Sequence, residues 1–230
     1  MANNKKAEAK PKKTSIIKDA VALFLITLIA GTLLGLVNDV TKEPIAEANL
    51  KAKMDAYQAV FADAAEFREN ADITAMVEDT AAFEALIAEA NKTDAYKELP
   101  IESVEISEVL EAVDASGNVL GYVVSFSSGA GYGGDINMSL GVTNEGEITG
   151  FEVISNSETA GLGANCSTSD FKSQFTGINT ASIMYTKSGK QEGTDPAQID
   201  AISGATITTK AVTRAVNGVL LFIRVNCLGM

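Results

Sequence analysis

The run Ala20–Val37, AVALFLITLIAGTLLGLV, holds 18 residues without one charge. An uncharged stretch of that length is what a helix needs to cross a bilayer. At about 1.5 Å per residue it covers roughly 27 Å, a thin hydrocarbon core. Ile16 and Ile17 extend it past Lys18 and Asp19. A secretory signal also opens on positive charge and an apolar run, but its apolar core is shorter, about 7–15 residues, and ends in a small-x-small cleavage site. The run here ends Leu36-Val37-Asn38-Asp39-Val40, which offers no such site. The expected element is an uncleaved transmembrane anchor over residues 16–37.

Charge divides at this segment. Residues 1–18 carry Lys5, Lys6, Lys10, Lys12, Lys13 and Lys18 against Glu8, a balance of +5, and the remainder is −17. The positive-inside rule keeps the basic tail, residues 1–15, in the cytoplasm and places everything after Val37 across the membrane. An acidic body argues against nucleic acid, whose phosphates need a basic stripe. The chain has no His, which removes His-ligated haem, ordinary zinc enzymes and His-based triads. Cys166 and Cys227 are too few to hold an iron–sulfur cluster alone. No resident metal is expected.

Residues 38–100 read as a helical spacer. Glu47–Phe61 and Thr80–Ala90 place apolar residues at three- and four-residue spacing. Pro44 fits either the first turn of a helix or a break after the membrane segment. From Val104 the pattern changes to strands. Val109–Val113 and Val119–Phe126 flank the turn Asp114–Asn118, while Ile136–Val142 and Ile148–Ser155 flank Thr143–Glu147. The two hairpins resemble each other at an offset of 29 residues, with Gly117, Gly121 and Val124 matching Gly146, Gly150 and Val153. A short helix near Ser169–Phe175, a strand at Ile183–Thr186, and a closing strand and helix follow. The expected fold class is α+β: one transmembrane helix, a helical stalk, then a mostly antiparallel sheet domain, residues 101–230, with a C-terminal helix.

Three loops carry candidate chemistry. In Asp200-Ala-Ile-Ser203-Gly204-Ala205-Thr206 a strand turns into a helix whose free N–H groups and positive dipole end make a phosphate seat. The plainer alternative is that Ser and Thr cap the helix, Gly makes the turn, and nothing binds. In Ser157-Glu158-Thr159-Ala160-Gly161-Leu162-Gly163 the glycines allow backbone to approach a flat ring and Leu162 offers an apolar face; the alternative is a surface turn. In Gly129–Ile136 the density of Gly implies close approach by a ligand or another backbone. There Tyr132 either stacks on a ring or caps the core.

Asp-x-x-Ser-Gly-Ala-Thr resembles the flavinylation motif of proteins that carry FMN through a Thr phosphoester, matching at all five defined positions. Glu158-Thr159-x-Gly161-Leu162-Gly163 is similar to a second loop of that family, with Ala160 where Pro is usual. Together with the anchor and the doubled hairpin, the resemblance is to RnfG, the G-type component of the Rnf complex, and to NqrC, the C-type component of the sodium-translocating NADH:quinone reductase. The Lys-rich N-terminus and short length favour the former.

The resemblance implies FMN linked covalently to Thr206. Asp200, Ser203, Gly204, Ala205, Glu158, Thr159, Gly161, Leu162, Gly163 and Tyr132 form the rest of the cofactor site, and no residue is catalytic. It implies an electron relay on the extracytoplasmic side of the cell membrane, with other membrane and redox subunits as partners and a separate transferase attaching the flavin. The complex would couple electron flow between ferredoxin and NAD to ion movement. An NqrC-like component of the quinone reductase, a non-redox scaffold and a free-standing flavin reductase are the rival readings. The last lacks a Gly-x-Gly-x-x-Gly fingerprint before a helix.

Overall fold

The computed structural model describes residues 16–230; the basic tail 1–15 lies outside them. Helix α1, Ile16–Val60, is continuous. Pro44 lies inside it rather than at its start or end, although its ring removes one donor from the ladder. The chain divides after Leu50 into two compact units. In the first, Leu23, Phe24, Ile26, Leu34 and Val37 are all more than half exposed. So apolar a helix surface fits lipid as its surroundings.

The second unit is built on a five-stranded antiparallel meander: β1 (Glu66–Glu69), β2 (Val104–Val113), β3 (Val119–Ser128), β4 (Ile136–Thr143) and β5 (Ile148–Ser155). Helices α2 (Ala71–Glu78) and α3 (Thr80–Ala90) lie between β1 and β2. β1 corrects the expectation of a purely helical spacer over 38–100, which named no strand there. Four residues carry too little periodicity to announce a strand, and pairing with β2 supplies the missing signal. Its Arg68 and the following Asn70 both hydrogen-bond the buried Glu111 carboxylate. The Asn70 amide first, then Arg68, holds that carboxyl below its ordinary value.

The two hairpin turns fall where composition places them, with Gly117 and Gly146 at φ +87° and +84°, a region that Gly enters without steric cost. Beyond β5 come a 3₁₀ turn (Gly163–Ser167), α4 (Ser169–Lys172), β6 (Ile183–Thr186), β7 (Ala197–Asp200) and α5 (Thr206–Ile223). β6 and β7 pair in parallel as a separate small sheet.

Each face of the meander is covered. Val124, Phe126, Met138, Leu140 and Val142 point to one side, where α5 buries Val212, Val216, Val219 and Ile223. α5 is long and apolar enough to span a bilayer, yet most of it is buried; it is the core helix. Asn217 on α5 fixes β6 in place: its side chain accepts from the Ile183 N–H at 2.8 Å and donates to the Ile183 carbonyl at 2.9 Å. On the opposite face Tyr57 and Val60, at the end of α1, and Phe61 just after it pack over Leu110, Ala112 and Val123. There Val60 lies directly on Gly141 and Gly150.

Candidate functional site

The turn from β7 into α5 is shaped from within. Gly204 has φ +73°. The Thr209 hydroxyl accepts from the Ile202 N–H and donates to the Ala205 carbonyl, closing the turn over the first helical residues. The N-cap position is Ala205, which provides no side-chain hydrogen bond. The amides of Thr206, Ile207 and Thr208 are therefore left without intrahelical acceptors at the positive end of an 18-residue helix. The plainer alternative therefore fails in one part, since no Ser or Thr side chain of the motif caps α5 among the described residues, while Gly204 does make the turn. Thr208 and Thr209 turn inward to other partners. Among the described residues the Thr206 hydroxyl has no hydrogen-bond partner.

Thr206, Gly204 and Ala205 line a cavity of about 580 Å³ together with Glu158, Thr159, Leu162, Gly163, Ile207, Thr208 and Tyr132. Segments roughly fifty residues apart in sequence thus meet at one place. Glu158 makes the join. Its Oε1 accepts from the Gly133 N–H at 3.0 Å, and its Oε2 accepts from the Thr208 hydroxyl at 2.7 Å. Gly163 is required by this arrangement, since a Cβ there would run into Glu158 Oε2 and Thr208 Oγ1. Gly163→Ala should therefore break the Glu158–Thr208 contact and lower the melting temperature. At about 1–3 kcal/mol for an overpacked site, thermal unfolding of the full chain in detergent resolves the change. An unaltered melting temperature would refute the crowding argument.

Three expected site residues lie elsewhere. Asp200 and Ser203 border a separate polar depression of about 700 Å³ with Lys190, Gln174 and Asp170. The Asp200 carboxylate accepts from the Lys190 N–H at 2.7 Å, holding the loop after β6. Gly161, at φ +77°, makes the bend that delivers Leu162 and Gly163 to the cavity wall. Tyr132 is 72% exposed, so it does not cap the core. Ile207, 52% exposed on the first turn of α5, joins the cavity unannounced. A single exposed Ile breaks the helical pattern, and that is the one signal that marks it. Cys166 is fully buried in the main core, and burial pushes its thiol upward; it is packing. Burial likewise raises the Cys227 thiol to about 12.

The residues present suit FMN. A cavity of this size is within the usual range for cofactor sites, roughly 300–1,000 Å³. Its uncapped amides suit a phosphate, and the Gly-lined, apolar wall suits a flat ring. The family model described as an FMN-binding domain matches residues 131–221, a span holding every residue of the cavity wall, so the domain is an FMN-binding one. A second model, the RnfG N-terminal region, matches residues 4–60.

The G subunit of the Na(+)-translocating ferredoxin:NAD(+) oxidoreductase complex of Acetobacterium woodii is 33% identical over 203 residues, covering 88% of each chain. The G subunit of the ion-translocating oxidoreductase complex of Methanosarcina acetivorans is 40% identical over 114 residues, 49% of this chain and 56% of that one. The crystal structure of Shewanella oneidensis NqrC is 26% identical with a TM-score of 0.43, covering 50% of this chain and 59% of the other. The chain belongs to the RnfG family, the G-type components of Rnf-type ion-translocating oxidoreductase complexes.

Proposed function

We propose that this chain is the membrane-anchored electron relay of an Rnf-type ferredoxin:NAD oxidoreductase complex, with FMN joined through its phosphate to Thr206. One observation carries the attachment site. Thr206 lines the cavity and, among the described residues, its hydroxyl makes no hydrogen bond, beside three amides that no side chain caps. A phosphate esterified there meets the positive end of α5. Thr208 is bonded to Glu158, and Thr209 is committed to the turn. Bound FMN supplies the electron transfer itself; the chain holds the cofactor, shapes its surroundings and keeps it at the membrane.

Leu162 and Ile207 would give the ring apolar contact, and the exposed Tyr132 on the cavity wall would offer its face for stacking. Asp200 and Ser203 act from the other side of the turn, where a flavin-attaching transferase reads them during maturation. The anchor is 16–37, and the flavin site lies in the unit Lys51–Met230, to which β1, α2 and α3 belong, so no spacer ends at residue 100. Partners are the remaining components of the complex. The test is intact-mass measurement of the full chain produced with its attaching enzyme. A mass increase of one FMN less water, localised by peptide mapping to the segment containing Thr206, supports the reading, and an unmodified chain would reject it.

Topology follows from charge. With the six lysines of residues 1–18 cytoplasmic, the acidic domain lies outside. Protease added to spheroplasts should degrade the domain, whereas protection until lysis would reverse the orientation.

A further inference from the structure

Glu158 is the only charged residue on the cavity wall among the described residues, and no basic side chain lines it. Both carboxylate oxygens are committed within the chain, one to the Gly133 amide and one to the Thr208 hydroxyl. Its side chain therefore cannot swing freely toward a ligand. It stays where it joins three segments: the Gly129–Asp135 loop, its own loop, and the first turn of α5. Gly163 leaves it the space it occupies.

We infer that Glu158 is a positioning residue that braces the cavity and, as a fixed negative charge on its wall, lowers the reduction potential of the flavin held there. The inference rests on the flavin site proposed above. Reducing a flavin adds negative charge to the cavity unless a proton follows. A carboxylate held at the wall opposes that addition, and its partial burial limits screening by water and salt. The N-terminus of α5 acts in the opposite sense, since its unpaired amides favour negative charge. Glu158, bonded to Thr208 in that first turn, offsets part of this field. Replacing the carboxylate by an amide leaves the helix end unopposed.

The experiment compares full-length wild type, Glu158→Gln and Thr208→Val, each made with the attaching enzyme and checked by mass. Midpoint potentials come from spectroelectrochemical titration. Glu158→Gln keeps an acceptor for Gly133 but loses the charge, so its potential should shift upward. Thr208→Val keeps the charge but loses one brace contact, so it should shift much less. An unchanged potential in Glu158→Gln, or equal shifts in the two variants, would overturn the electrostatic role. Hydrogen exchange on chain made without the attaching enzyme, and so flavin-free, tests the brace by itself. The Gly133 amide should exchange faster in Glu158→Ala than in wild type, and equal protection would overturn the bracing role. Wild type lacking flavin on Thr206 would defeat the attachment reading instead, and the exchange result would still decide the brace.

Discussion

Covalent flavin is expected to vanish from Thr206→Ala while the domain stays folded. The hydroxyl is the proposed acceptor, and Ala offers no oxygen to esterify. Structural cost should be small because Thr206 provides no cap and makes no hydrogen bond among the described residues. Ala is also a better helix former than Thr. The change in stability should lie within about 0.5 kcal/mol, the range of substitutions that remove no specific interaction. Flavin fluorescence of the denatured band and the intact-mass shift should both fall to zero. Thr206→Ser retains a hydroxyl in the same place and should retain part of the attachment. The controls Thr208→Val and Thr209→Val separate acceptor from scaffold. Both remove internal hydrogen bonds and should cost stability, about 1–3 kcal/mol where a buried partner is left unsatisfied, without removing the acceptor. Persistent covalent flavin in Thr206→Ala would end the assignment.

The second large effect is far from the flavin. In Gly150→Val the thermal midpoint should drop by several degrees, although Val is the stronger strand former. A Cβ at Gly150 would stand 2.8 Å from Val60 Cα. The obstacle is backbone, so a side-chain rotation cannot relieve it. At Gly141 a Cβ meets Thr149 Oγ1 and the Val60 carbonyl oxygen. Gly141→Val should therefore act in the same direction. Overpacking of this kind costs about 1–3 kcal/mol, and each kcal/mol moves the midpoint of a domain this size by roughly 2–4 °C. Circular dichroism melts of the flavin-free chain in detergent measure it. Unchanged midpoints in both variants would mean that the end of α1 does not press on the sheet as described.

These glycines show where local reading stops. The repeat between the hairpins is visible in the chain, since Gly121 and Gly150 occupy matching positions, but its physical cause is not. At Gly150 the end of α1 crosses that face of the sheet and leaves no room for a side chain, whereas at Gly121 the nearest obstacle is the β4 backbone at Val142 and Thr143. By contrast Gly117 and Gly146 are legible alone, because a tight turn with positive φ is a property of a few consecutive residues. The apolar anchor, the four long strands and the start of α5 are legible for the same reason: each is written in a period or a composition that its own residues carry.

The proposed flavin site divides along the same line. Two motifs and Tyr132 are recognisable as short strings, and the fold brings most of their residues to one cavity. That Asp200 and Ser203 face a different depression depends on how the turn after β7 sits between two surfaces. That Glu158 braces the site, rather than standing free, depends on Gly133 and Thr208 arriving from 25 residues before it and 50 after. β1 enters the sheet only through its pairing with β2. Sequence alone determines features held within one turn of helix or one hairpin. Contacts between distant segments are chosen by packing and hydrogen-bond satisfaction, which local periodicity does not encode.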